Sequence, residues 1–82
     1  MSVQLQSHTK VRAARLARGW TQVDLAYHAR ISLPDISRIE TGRMVPYPAH
    51  AERLSELLGI PAEELQEMVP VADVNLGEAK SA

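Results

Sequence analysis

The chain has no cysteine and no phenylalanine among its 82 residues, and only Trp20, Tyr27 and Tyr47 are aromatic. Without cysteine there are no disulfides and no thiolate zinc site, which small domains often use as staples. The lack of thiols also suits a reducing compartment, so a cytoplasmic setting is the expectation. With so few aromatics, the core must come from Leu, Ile, Val and Ala, in a chain that is 45% hydrophobic. No apolar run approaches the roughly 18 residues of a membrane span, and residues 1–8 hold no apolar stretch of signal-peptide type. A glycine-rich phosphate loop, a nucleophile–base pair and a carboxylate pair placed for a cleft are all lacking. His8, His28 and His50 share no metal-ligand spacing. No enzyme, metal, cofactor, membrane or small-molecule ligand is expected.

What is present is one small domain. A chain of this length buries roughly 60% of its unfolded surface, so the core is thin and the stability modest. The net charge of −1 hides a polarity. Residues 1–47 carry seven Lys and Arg against three Asp and Glu, a net +4; residues 48–82 carry two against seven, a net −5. A basic end of this kind can face phosphates while the acidic end faces solvent or a partner.

The spacing of apolar residues and punctuators predicts an all-α bundle of five short helices. Residues 1–7 read as a flexible arm. Ser7 can cap a first helix over 8–18, with Val11, Ala14 and Arg18 on one face and Gly19 as its stop. Thr21 caps a second helix over 22–29, and Asp24 completes a capping box. Its inner stripe is Leu25, Ala26 and Ala29. Ser32 opens a third helix over 33–41, with Pro34 in the first turn and Asp35 as the capping acid. Ile36 and Ile39 are its inward pair, and Gly42 ends it. A fourth helix over 48–58 turns Ala51, Leu54, Leu57 and Leu58 inward. Pro61 opens a fifth, to residue 68, which Pro70 ends. Residues 8–69 form the domain proper and 70–82 a tail, in which Val69, Val71 and Val74 allow a short strand.

The second and third helices are joined by too few residues to lie antiparallel. They must cross steeply, with Ala26 at the closest approach and Ile31 plugging the turn. At this spacing "RAARLARGWTQVDLA" and "ISRIETGRMVPYPAHAERLSELLGI" resemble the helices of the Cro and phage-repressor family of helix-turn-helix proteins. The likeness covers residues 10–65, about two-thirds of the chain. It rests on the combination of Gly19, Thr21, Gln22, Ala26, Ile36, Ile39, Glu40, Gly42, Pro46, Leu58 and Gly59. The resemblance implies a compact lambda-repressor-like bundle whose third helix enters the major groove of double-stranded DNA. It further implies a transcription regulator, a repressor, that binds a two-fold operator as a homodimer.

With Ile36 and Ile39 inward, the positions left to face base edges are Ser32, Leu33, Pro34, Ser37 and Arg38. A guanidinium can donate two bonds to guanine, which makes Arg38 the strongest base reader; the alternatives are pairing with Asp35 or touching phosphate alone. Relatives carry hydrogen-bonding side chains where this chain has Leu33 and Pro34, so this face leans toward methyl contacts and shape readout. Gln22, Arg15, Arg43 and Tyr47 are the candidate phosphate contacts, Tyr47 with packing on the fourth helix as its alternative. The resemblance also places a structural ion pair between Arg15 and Glu40. Arg30 stands in the turn where the family prefers Gly, so a positive φ there would strain it.

The expected dimer surface is the fifth helix with Val69–Val74, which either pairs with the partner's copy as a two-stranded ribbon or folds back on the core. A second function stays open on the same fold: a protein-interaction module of antitoxin or anti-repressor type, binding a protein through Leu33 and Pro34.

Overall fold

The computed structural model describes residues 5–72. The chain runs through β1 (Leu5–Thr9), α1 (Lys10–Ala17), α2 (Gln22–Ala29), α3 (Leu33–Glu40), α4 (Pro48–Leu58), one 3-10 turn (Ala62–Glu64) and β2 (Met68–Ala72). Over the described residues the fold is mostly helical, with four α-helices and a two-stranded antiparallel sheet, and the all-α bundle of five helices needs correcting at both ends.

At the N-terminal end, Leu5–Thr9 is strand, so residues 5–7 of the segment read as an arm belong to the sheet, and residues 1–4 lie outside the described residues. The first cap moves from Ser7 to Thr9, whose side chain accepts the Arg12 N–H at 3.2 Å. At the C-terminal end, Pro61 and the acids Glu63 and Glu64 open only the 3-10 turn, after which the backbone extends. Pro70 stands inside β2 rather than ending a helix, and Met68, the expected last residue of that helix, opens the strand and is 59% exposed.

The register pairs Ser7 with Pro70 and Thr9 with Met68. The Lys10 N–H donates to the Glu67 carbonyl at 2.9 Å in the same register, so the bonded pairs are the alternate ones, His8 with Val69 among them. Ser7–Pro70 is then a non-bonded pair. The missing proline N–H falls on the outer edge, where it costs no ladder bond and leaves that edge a donor short. β2 thus pairs within its own chain. Val74 lies outside the described residues.

Val11, Leu25, Ala29, Ile31, Ile36, Ile39, Leu54, Leu58 and Leu65 make the buried core, so every helix contributes. Burial of each Leu or Ile stabilises by about 1.5–3 kcal/mol. Arg18, read as the last residue of the first helix, is its exposed C-cap residue. No described helix is long and apolar enough to cross a membrane.

Candidate nucleic-acid interface

Two locally encoded caps set the crossing of α2 and α3. The Thr21 hydroxyl accepts the Asp24 N–H at 3.0 Å while Asp24 Oδ2 accepts the Thr21 N–H at 2.8 Å. That backbone donor, then the Thr21 hydroxyl, holds the Asp24 carboxyl below its ordinary value of 3.8. At the other end of α2, Arg30 takes the left-handed conformation, φ 59° and ψ 48°, and is the one non-glycine with positive φ among the described residues. The chain reverses there, and Ser32 caps α3 by accepting the Asp35 N–H at 3.3 Å. Pro34 lies in the first turn, where no intrahelical N–H is needed.

Ile36 and Ile39 are fully buried and fix which side of α3 looks outward. Ser32, Leu33, Pro34 and Arg38 are exposed on it, and Ser37 is half-buried. Arg38 Nη1 donates to Asp35 Oδ1 at 3.2 Å. The face is apolar at Leu33 and Pro34, and its charged groups are this one pair.

Beneath the two helices lies a polar knot. Arg15 Nε donates to Glu40 Oε2 at 2.6 Å and Nη2 to Oε1 at 3.1 Å, a bidentate pair joining α1 to the last residue of α3. Arg15 Nη1 donates to the Trp20 carbonyl at 2.8 Å, and Gln22 Nε2 donates to Glu40 Oε1 at 3.0 Å. The two ionised side chains are 8% and 0% exposed, yet every oxygen of Glu40 and every nitrogen of Arg15 has a partner. Burying such a pair is costly unless it is satisfied in this way. The same geometry leaves the Arg15 guanidinium largely enclosed, with three of its five N–H groups engaged inside the domain. It therefore ties α1 to the end of α3.

Gln22, from the first turn of α2, has its amide directed at Glu40. Arg43 is exposed in the loop after α3, and its backbone N–H donates to the Arg38 carbonyl at 2.8 Å. Tyr47 occupies the N-cap position of α4 without a side-chain cap bond. It is 60% exposed, with its ring set edge-on to His50 at 5.4 Å. Arg15, Gln22 and Glu40 thus come together in one network, whereas Arg43 and Tyr47 stand apart on the α3–α4 loop.

Three residues that hold the site in place gave no signal in the sequence. Arg53 of α4 donates through Nε to the Ala29 carbonyl at 2.8 Å and through Nη2 to the Arg30 carbonyl at 3.1 Å. It caps the C-terminal end of α2, where a cation is also favoured by the helix dipole. Gln66 Nε2 donates to the Ile39 carbonyl at 3.1 Å and the Met44 carbonyl at 2.6 Å, holding the end of α3 to the loop that follows. The fully buried Thr9 hydroxyl donates to the Glu40 carbonyl at 2.9 Å. Each bond spans more than 20 residues, so no local pattern could show it. Trp20 covers the α1–α2 junction half-buried, stacked on His28 with ring centroids 4.5 Å apart and with Arg18 over its ring at 5.7 Å. Among the described residues no group of His, Asp and Glu is arranged to hold a metal ion.

No curated protein and no solved structure matches the chain. The model of a helix-turn-helix domain family matches residues 9–68, which takes in all four α-helices, the turn with Arg30 and the start of β2. The α2–α3 pair, its two caps and the buried knot that holds it lie within that match, and the chain belongs to this family of helix-turn-helix domains.

Proposed function

We propose that this domain is a sequence-specific double-stranded-DNA-binding transcription regulator, with α3 in the major groove. A repressor of the Cro and phage-repressor type, acting as a homodimer on a two-fold operator, is the form the resemblance favours. One observation carries the reading: Ser32, Leu33, Pro34 and Arg38 stand exposed on the outer side of α3 while Ile36, Ile39 and Glu40 anchor its other side. A helix held that rigidly and left uncovered is suited to a groove about 12 Å wide. In this reading Arg43 in the following loop and the opening turns of α2 and α4 supply the phosphate contacts, with Tyr47 at the α4 end. Pairing two copies would double a short set of base contacts.

The partner-binding alternative draws on one observation, the 42% exposed Leu33 beside an exposed Pro34, a donor-poor surface that a protein could cover. Titration of duplex binding with salt separates the two. Affinity that falls steeply with salt, with a shallower slope for Arg43→Ala, supports the DNA reading. No binding even at low salt supports the protein module.

A further inference from the structure

We propose that Asp35 is a specificity-determining positioning residue: it holds the Arg38 guanidinium so that the pair reads guanine as one unit. This rests on the DNA reading above. Arg38 and Asp35 lie one helical turn apart on the outward side of α3, and Arg38 Nη1 donates to Asp35 Oδ1 at 3.2 Å. That bond engages one corner of the fork and leaves the Nε–Nη2 edge, with its two parallel N–H groups, free for guanine O6 and N7.

The rest of the face narrows the choice. Leu33 and Pro34 supply no side-chain donors, Ser32 Oγ accepts the Asp35 N–H in the cap of α3 and keeps a single O–H to donate, and Ser37 is half-buried. Base-specific hydrogen bonding therefore concentrates on Arg38. A free arginine on a flexible stem would touch phosphate as readily as a base. The Asp35 carboxylate counters this in two ways. It orders the guanidinium before contact, and it places a negative charge on a face that meets a polyanion. That charge repels duplexes offering no guanine to satisfy the fork, a penalty against the wrong partner that raises discrimination at the expense of general affinity. The carboxylate is only 24% exposed and keeps its place by sitting in the first turn of α3, near the positive end of the helix.

The experiment selects bound sites from one random-sequence duplex pool with the wild type, Asp35→Ala, Asp35→Glu and Arg38→Ala in parallel. Affinity for unselected duplex and thermal unfolding are measured on each. The expected result is a guanine column that loses about tenfold preference in Asp35→Ala and in Arg38→Ala, with the other columns kept. Affinity of Asp35→Ala for unselected duplex rises about threefold as one repulsive charge is removed. Asp35→Glu restores the column. Asp35→Asn replaces Asp35→Ala if the latter loses its cooperative melt. An unchanged column in the Asp35 variant, or a uniform weakening of all columns and of unselected binding, overturns the role of Asp35 and leaves the DNA reading standing. A wild type that selects no motif and binds no duplex at low salt overturns both.

Discussion

Arg53 closes the turn that Arg30 makes. The Arg53 guanidinium, from the middle of α4, donates to the Arg30 carbonyl at 3.1 Å and to that of Ala29 at 2.8 Å, where Arg30 holds φ at 59°. The strained residue and its clamp together set the angle at which α3 leaves α2.

Arg30→Gly is expected to stabilise the domain, because glycine reaches the left-handed region without the Cβ conflict. The gain is about 0.5–1 kcal/mol after the added freedom of the unfolded chain is allowed for. In a domain of this size that raises the midpoint of thermal unfolding by about 2–8 °C. A midpoint unchanged or lowered would show that Arg30 gains more from its surroundings than its backbone loses.

Arg53→Ala leaves two carbonyls at the end of α2 without their donor and is expected to cost about 1–2 kcal/mol in urea unfolding. Arg53→Lys keeps the charge and loses the fork, so it should fall between the two. Equal stability of Arg53→Lys and the wild type would mean that charge alone does the capping.

Glu40→Ala strands the enclosed Arg15 guanidinium and the Gln22 amide. The expected loss is about 3–5 kcal/mol, a large share of the stability of a small domain, with duplex binding weakened alongside. Arg15→Met combined with Glu40→Leu should recover most of the stability, since neither charge then needs a partner. A double variant as unstable as Glu40→Ala would show that the knot does more than satisfy itself.

Two half-buried groups give the fold a dependence on pH at its extremes. The Asp24 carboxyl sits below 3.8 in the folded chain, first because of the Thr21 N–H. Its contribution is whole above 3.8 and is lost as pH falls through the folded value beneath it. Lys10 is raised above 10.5, first by its bond to Glu64 and then by Glu67. That contribution is whole below 10.5 and is lost as pH climbs through the folded value above it. Thermal midpoints of Asp24→Asn should therefore lie below the wild type near neutrality and converge on it in acid. Those of Lys10→Met should converge in strong base. Gaps that stay constant with pH would rule out these ion and hydrogen-bond contributions.

Much of the site could be read from the residues because its determinants are local. Thr21 with Asp24, and Ser32 with Asp35, are caps written within four residues, and they start α2 and α3 where the spacing places them. Ile36 and Ile39 identify the inner side of α3, so the outward set follows from helical geometry alone. The same local signals misled at the C-terminal end. Pro61, Glu63 and Glu64 are sound helix-opening residues, but the backbone donors of Lys10 and Val11 take the carbonyls of Glu67 and Leu65. That pairing draws the chain into the sheet after a single turn.

The residues by themselves therefore determined four helices, the caps of α2 and α3, the glycine stops, and the side of α3 left free, because each depends on neighbours within a turn or two. Only the tertiary structure decided the pairing of Leu5–Thr9 with Met68–Ala72, the enclosure of Arg15, and the clamps from Arg53, Gln66 and Thr9. These contacts join segments more than 20 residues apart, and loop closure lets many such partners meet at similar entropic cost. Which ones form is settled by the whole packed core at once.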